Sequence, residues 1–87
     1  MTTIDCGADN NSDISLAHGS TVNFKNTNAR SINLTTPQGL DPNGSRQVDS
    51  QATSEDFTVD AAAGECLIYR WTEVGPAAPR NGRINVT

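Results

Sequence analysis

The side chains that could do chemistry in this 87-residue chain are few: one histidine, two cysteines and one short run of acids and amides. His18 lies in Leu16-Ala17-His18-Gly19-Ser20, a context that reads as a hairpin turn, where an imidazole is ordinarily a solvated tip. No serine or carboxylate stands at a spacing that would identify its partners, so no hydrolytic triad can be assembled. Asp9-Asn10-Asn11-Ser12-Asp13 places oxygen side chains at alternate positions, as the first half of a calcium loop does, with Asp9, Asn11 and Asp13 as candidate ligands. The turn glycine expected after Asp13 is replaced by Ile14, and Ser20 stands where the closing bidentate glutamate belongs. A plain turn explains the same pattern, because Asx side chains hydrogen-bond their own backbone.

Cys6 and Cys66 are sixty residues apart, each in a short alternating apolar pattern. A structural bridge, two buried thiols and a redox pair are the readings to weigh. Catalytic dithiols sit close in sequence with a depressed thiol pKa. Here Asp5 adjoins Cys6 and Glu65 adjoins Cys66, and negative charge disfavours a thiolate. A bridge fits the composition. Sixteen residues are Leu, Ile, Val or Phe, about 18% of the chain and below the ~20% usual for a folded domain. Closing a loop of roughly 60 residues would add about 4 kcal/mol in the chain-entropy model. A bridge from Cys6 to Cys66 is therefore the expectation, tying the first strand to the next-to-last. It implies an oxidising compartment, hence a secreted or periplasmic protein. Met1-Thr2-Thr3 is no signal peptide, so Met1 reads as a start codon added to an excised mature domain. Free cysteines buried in a cytosolic protein are the alternative.

Length and charge exclude other classes. The chain is one domain, residues 1–87. No run approaches the ~18 apolar residues of a membrane span. Six Lys and Arg against ten Asp and Glu, with no basic stripe, argue against nucleic-acid binding. Asn10, Asn33, Asn43 and Asn85 each head a formal glycosylation acceptor, matches that arise easily in a chain rich in Asn and Thr.

The elements that must position these residues are strands. Apolar residues alternate with period 2 at Ile4 and Cys6, Ile14 and Leu16, Val22 and Phe24, Ile32 and Leu34, Phe57 and Val59, and Ile84 and Val86, with a longer run from Cys66 to Trp71. Turn signals separate them: Gly7 to Asp13, His18-Gly19-Ser20, Asn26-Thr27-Asn28, Asp41-Pro42-Asn43-Gly44, Ala63-Gly64 and Gly75 to Gly82. Gln51 to Phe57 could hold one helical turn. The fold expected is an all-β, antiparallel Greek-key sandwich of seven or eight short strands, cupredoxin-like or immunoglobulin-like, with one disulfide. In the Cys66–Trp71 strand either Cys66, Ile68 and Arg70 face inward or Leu67, Tyr69 and Trp71 do. Composition favours burying the second set.

From about Gly19 onward the chain resembles a cupredoxin, the small blue-copper β-sandwich. Val22-Asn23-Phe24-Lys25-Asn26-Thr27-Asn28 followed by Ser31-Ile32-Asn33-Leu34 is similar to that family's strand, Asn-rich turn and next strand. Asp41-Pro42-Asn43-Gly44, Phe57-Thr58-Val59, Gly64-Glu65-Cys66-Leu67-Ile68-Tyr69 and Gly82-Arg83-Ile84-Asn85-Val86 follow in the family's order. The resemblance implies the scaffold and denies the metal. Blue copper needs two histidines, a cysteine thiolate and usually an axial methionine. The first histidine would fall at Ser31 or Ile32, the cysteine after Tyr69 at Arg70 or Trp71, and the rest in Thr72 to Arg80. None of these can serve, so no metal and no cofactor is expected.

What remains is a binding surface. The stretch Gly75-Pro76-Ala77-Ala78-Pro79-Arg80 is stiffened by proline and uncharged up to Arg80. The resemblance puts it at the copper end of the scaffold, beside Ile32 and the loop of Pro37 and Leu40. Trp71, Pro76, Ala77, Pro79 and Arg80, with Pro37 and Leu40, form the candidate interface, an aromatic with a flanking arginine being typical of anchors. The competing reading, the stronger of the two in a chain with one Trp, makes Trp71 the main core residue. The expected function is a non-enzymatic binding or accessory module whose partner is an unknown protein or glycan. A carbohydrate-binding, adhesin or inhibitor-type surface protein, with Thr21, Asn23, Asn33 and Thr35 on sheet faces, is the alternative, as is a purely structural domain.

Overall fold

A computed structural model describes residues 1–7 and 13–87, so Asp9 and Asn11 lie outside the described residues. Nine strands are found among the described residues: β1 (Thr2–Asp5), β2 (Asp13–Leu16), β3 (Thr21–Lys25), β4 (Ile32–Thr36), β5 (Leu40–Asp41), β6 (Gly44–Val48), β7 (Phe57–Val59), β8 (Cys66–Glu73) and β9 (Arg80–Val86). They form two sheets, ordered β1-β3-β7-β5 and β2-β9-β8-β4-β6. Every apolar alternation read in the sequence lies in or directly after a strand. Gln51 to Phe57 holds no helix; Gln51 sits in a turn with φ 64°.

The sheets are mixed, not purely antiparallel. β1 runs parallel to β3, and β2 runs parallel to β9. The first two strands are edge strands of different sheets, so neither forms a hairpin with its successor. Two short strands are additions to the expected set. β6 escaped notice because Gly44, Ser45, Arg46 and Gln47 give no alternation, and only Val48 of that strand is fully buried. It is an edge strand covering β4, and polar side chains are tolerated at an edge.

Strand β8 settles its own facing. Leu67, Tyr69 and Trp71 point into the core, whereas Cys66, Ile68 and Arg70 point outward. Phe24 stacks edge-on against Phe57, with centroids 5.5 Å apart, and leans on Tyr69 at 4.9 Å. Gly82 lies across from Tyr69 on β9. Any Cβ there would collide with the Tyr69 ring and hydroxyl, so glycine is required for the phenol to lie flat over β9. Arg46 closes one open side of the sandwich, its guanidinium 4.6 Å from the Phe57 ring and 2.9 Å from the Glu55 carboxylate.

The expected disulfide is absent: both cysteines are free. Cys6 follows β1, fully buried, its N–H donating to the Lys25 carbonyl and its own carbonyl accepting from Asn28. Cys66 begins β8 at the opposite end and is exposed on the outer face of the other sheet. The length of β8, roughly 23 Å at about 3.3 Å per residue, separates the two ends. A bridge needs Cα atoms within about 7 Å. The oxidising-compartment argument drawn from that bridge falls with it.

Candidate functional site

The candidate site is built on the β8–β9 hairpin. Its strands pair from Cys66 with Asn85 to Trp71 with Arg80, leaving residues 74–79 as the connection. The base of this turn is clamped from the β3–β4 side. Val74 N–H donates to the Ser31 carbonyl at 2.8 Å, and Arg30 donates to the Val74 carbonyl at 3.4 Å. The Arg30 guanidinium occupies the space over Gly75, whose φ of +117° and close neighbour together exclude a side chain. Above this base Val74 is 43% exposed, and Pro76, Ala77, Ala78 and Pro79 are exposed. Arg80 turns back over Trp71, 5.9 Å from the indole.

The segment carrying Arg30 is itself fixed by two buried amides. Asn26 donates from Nδ2 to the carbonyls of Arg30 and Val48, at 2.8 and 3.0 Å. Its Oδ1 accepts from the N–H and from Nδ2 of Asn28, both at 2.9 Å. Asn28 also donates to the Cys6 carbonyl at 2.6 Å, and its own carbonyl accepts from Ser50 and Gln51. Strand β1, the β3–β4 connection and the segment after β6 are thus joined where no regular ladder reaches. Asn26-Thr27-Asn28 reads in the sequence as a turn, and nothing in composition shows that it is the buried knot of this end.

Three members of the expected interface are placed elsewhere. Trp71 is 2% exposed and is the largest core side chain, so it cannot serve as a surface anchor. Leu40 is 1% exposed, paired through β5 with Val59. The Pro37–Leu40 loop is at the other end of the molecule. β4 leaves its pairing with Glu73 at Ile32 and runs to Arg70 at Thr35, so the chain beyond Thr36 emerges beside Leu67. A side chain on Gly39 would strike Leu67 and Ala61. The turn therefore keeps Pro76, Ala77, Pro79 and Arg80 and gains Val74 and Arg30. Val74 had no alternation to mark it, and Arg30 becomes part of the end only through contacts distant in sequence.

The residues where copper ligands would stand do not fit a copper ion. Ile32 is fully buried, and Ser31 Oγ bonds the Asp49 carboxylate at 3.4 Å. Arg70 points outward to Asn81, Trp71 fills the core, and residues 72–80 contain no imidazole, thiol or thioether. Among the described residues no three His, Cys, Asp or Glu side chains converge as a metal group. Of the calcium candidates only Asp13 is described, and it accepts from Asn85 Nδ2 at 2.6 Å. His18 is exposed at its turn and donates from Nδ1 to the Ala61 carbonyl at 2.9 Å. The sugar-contact candidates divide between opposite faces. Thr21 and Asn23 are on the four-stranded sheet, Asn33 and Thr35 on the five-stranded one.

A concavity of about 540 Å³, open to solvent, lies at the end opposite the turn beside Gln38, Asp60, Glu65 and Cys66. The two thiols differ sharply. Burial, with a smaller push from the Asp5 carboxylate, raises Cys6 to about 12 from an ordinary 9.0. The folded chain therefore holds a proton that the unfolded chain releases. This contribution to stability is complete below pH 9 and is lost as pH rises from there toward 12. Alkylation of the native chain without reductant is expected to modify Cys66 alone, with Cys6 reacting only on unfolding. Two rapid adducts, or none, would contradict this placement.

No protein-family model and no curated sequence matches this chain. Two solved structures do match in fold. A reduced Cu(I) form of an amicyanin mutant superposes with a TM-score of 0.71 at 16% identity, over 99% of this chain and 81% of that one. A second amicyanin mutant, also Cu(I), gives 0.66 at 12% identity with the same coverage. The fold is cupredoxin-like, as the strand motifs from Gly19 onward imply. At this identity the likeness extends to the scaffold alone.

Proposed function

We propose that this chain is a non-enzymatic binding or accessory module, secreted or periplasmic, on a cupredoxin-like scaffold without copper, and that it docks through residues 74–80. The observation that carries the reading is the contrast within that turn. Its apolar side chains face solvent while its backbone is clamped by Arg30, Ser31 and two prolines. A turn ordered in advance loses little entropy on binding, and loops on a rigid scaffold are where binding residues concentrate. With Trp71 inside, the contact is a small apolar patch flanked by two guanidinium groups. Such a patch suits a protein surface with a shallow apolar centre and carboxylates at its rim. The extracytoplasmic location rests on the likeness to cupredoxins, since the thiols no longer support it; among the described residues no helix is long and apolar enough to cross a membrane.

A photoreactive side chain at position 77, compared with one at position 58 on the outer face of β7, tests this reading. In extract from the source cells, position 77 is expected to trap one acidic partner, competed away by unlabelled chain. Val74→Asp with Ala77→Asp should weaken that competition by at least about tenfold, or 1.4 kcal/mol. Equal trapping at both positions, or competition indifferent to the aspartates, would remove the turn from consideration.

A further inference from the structure

The chain contains two Asn-Gly dipeptides, Asn43-Gly44 and Asn81-Gly82, and the fold treats them oppositely. We infer that Asn43-Gly44 is a site of spontaneous covalent modification, converting through a cyclic imide to aspartate and isoaspartate, while Asn81-Gly82 is protected from the same reaction. In this chemistry the backbone nitrogen of the glycine loses its proton and attacks the asparagine Cγ. The new Cγ–N bond closes a five-membered imide, and the side-chain amide nitrogen leaves as ammonia. Water then opens the ring. Attack at Cγ restores the normal backbone with an aspartate; attack at the α-carbonyl leaves isoaspartate, with the main chain routed through the side chain.

Ring closure requires a glycine nitrogen that local opening can free, an unbonded asparagine amide and a backbone able to leave its resting dihedrals. Asn43 lies between β5 and β6 and Gly44 is the first residue of β6, at the last pair of that edge strand's ladder opposite Thr36; both are exposed and follow Pro42. Gly44 has φ +115°, and nothing lies within 4 Å of where a Cβ would be. The Asn43 amide makes no hydrogen bond among the described residues. Glycine is also the residue that most readily changes its dihedrals. Asn81 and Gly82 occupy the body of β9, in register with Arg70 and Tyr69. Asn81 Oδ1 accepts from Arg70 Nε at 3.2 Å, and Gly82 is buried under the Tyr69 ring. Cyclisation there would require β9 to leave its ladder with β8, the central pairing of the larger sheet. The same dipeptide therefore stands at the end of an edge strand, where fraying frees the glycine nitrogen, in one place and inside the sheet in the other.

The products have a structural consequence. Thr36 Oγ1 donates to the carbonyls of Pro42 and Gly44, and Arg46 donates to the Gly44 carbonyl while covering Phe57. An isoaspartate at position 43 inserts one more backbone carbon where these bonds converge, and both products add a carboxylate two residues from Asp41.

Incubation of the full chain in warm, mildly alkaline buffer, followed by peptide mapping, tests the inference. The folded protein should lose ammonia at position 43 at least about tenfold faster than at position 81, since reaction at 81 must await local opening of the sheet. In denaturant the two rates should converge. Asn43→Ser should abolish the modification while Asn81 stays intact. Comparable native rates at both positions, or no conversion at 43 over a period in which the denatured chain converts, would overturn the assignment.

Discussion

Trp71→Ala is expected to cost about 3–5 kcal/mol, the range for removing a large buried aromatic. The indole is 2% exposed, on β8 at the centre of the five-stranded sheet, and the surrounding strands cannot close over the space it would leave. Domains of this size are stable by only about 5–15 kcal/mol in all. At about 4–8 °C per kcal/mol, the melting temperature should fall by at least ~12 °C. Arg80→Ala supplies the contrast. Its guanidinium lies over the same ring at 5.9 Å and the residue is half-buried, and a cation–π contact at that limiting distance is worth only about 0.5–1 kcal/mol. Native Trp71 fluorescence should be blue-shifted and insensitive to iodide. A Trp71→Ala chain that melts within a few degrees of the parent would show that the indole is not the core of this sheet.

Asn26→Ala should be nearly as damaging despite removing only a small polar group. It strips the carbonyls of Arg30 and Val48 of their donor, and leaves two Asn28 donors without the oxygen they now share. Each buried polar group left unmet costs about 1–3 kcal/mol, and the members of such a network fail together. The expected loss is about 2–5 kcal/mol by denaturant titration. Asn26→Asp separates the donors from the acceptor. A carboxylate can still accept from Asn28 but repels both carbonyls, so this variant should gain stability as pH falls and the buried acid takes a proton. A pH-independent Asn26→Asp, or a cost below ~1 kcal/mol for Asn26→Ala, would mean that water replaces the amide.

The exposed turn of residues 74–79 was legible in part. Pro76, Pro79 and the intervening alanines identify a stiff apolar loop from residue type alone, since proline restricts φ wherever it stands. That Trp71 does not belong to it could be anticipated from β8 itself: burying Leu67 and Tyr69 commits Trp71 to the same side, because side chains alternate along a strand. Placing Pro37 and Leu40 at the same end was an error of direction. The residues that join an end are chosen by how strands pair, and β4 runs away from the turn as it leaves Ile32.

The sequence by itself determined seven strands and the inward side of all but β8, because period-2 alternation is a local property that survives in any sheet; the cupredoxin-like order came from the resemblance of the motifs after Gly19. It also determined that the positions corresponding to the copper ligands carry no imidazole, thiol or thioether, since Ser31, Ile32, Arg70, Trp71 and residues 72–80 are fixed by the chain itself. Only the tertiary structure decided which strands are neighbours and in which direction they run. Ile4 with Cys6 and Ile14 with Leu16 give the same alternation whether their partners are parallel or antiparallel, and the fold made both pairings parallel. The fate of the cysteines followed from this. Alternation put Cys66 on the outer face once Leu67 was buried, while strand pairing carried Cys6 to the far end of the core. Distance in space, not spacing in sequence, kept the two thiols apart.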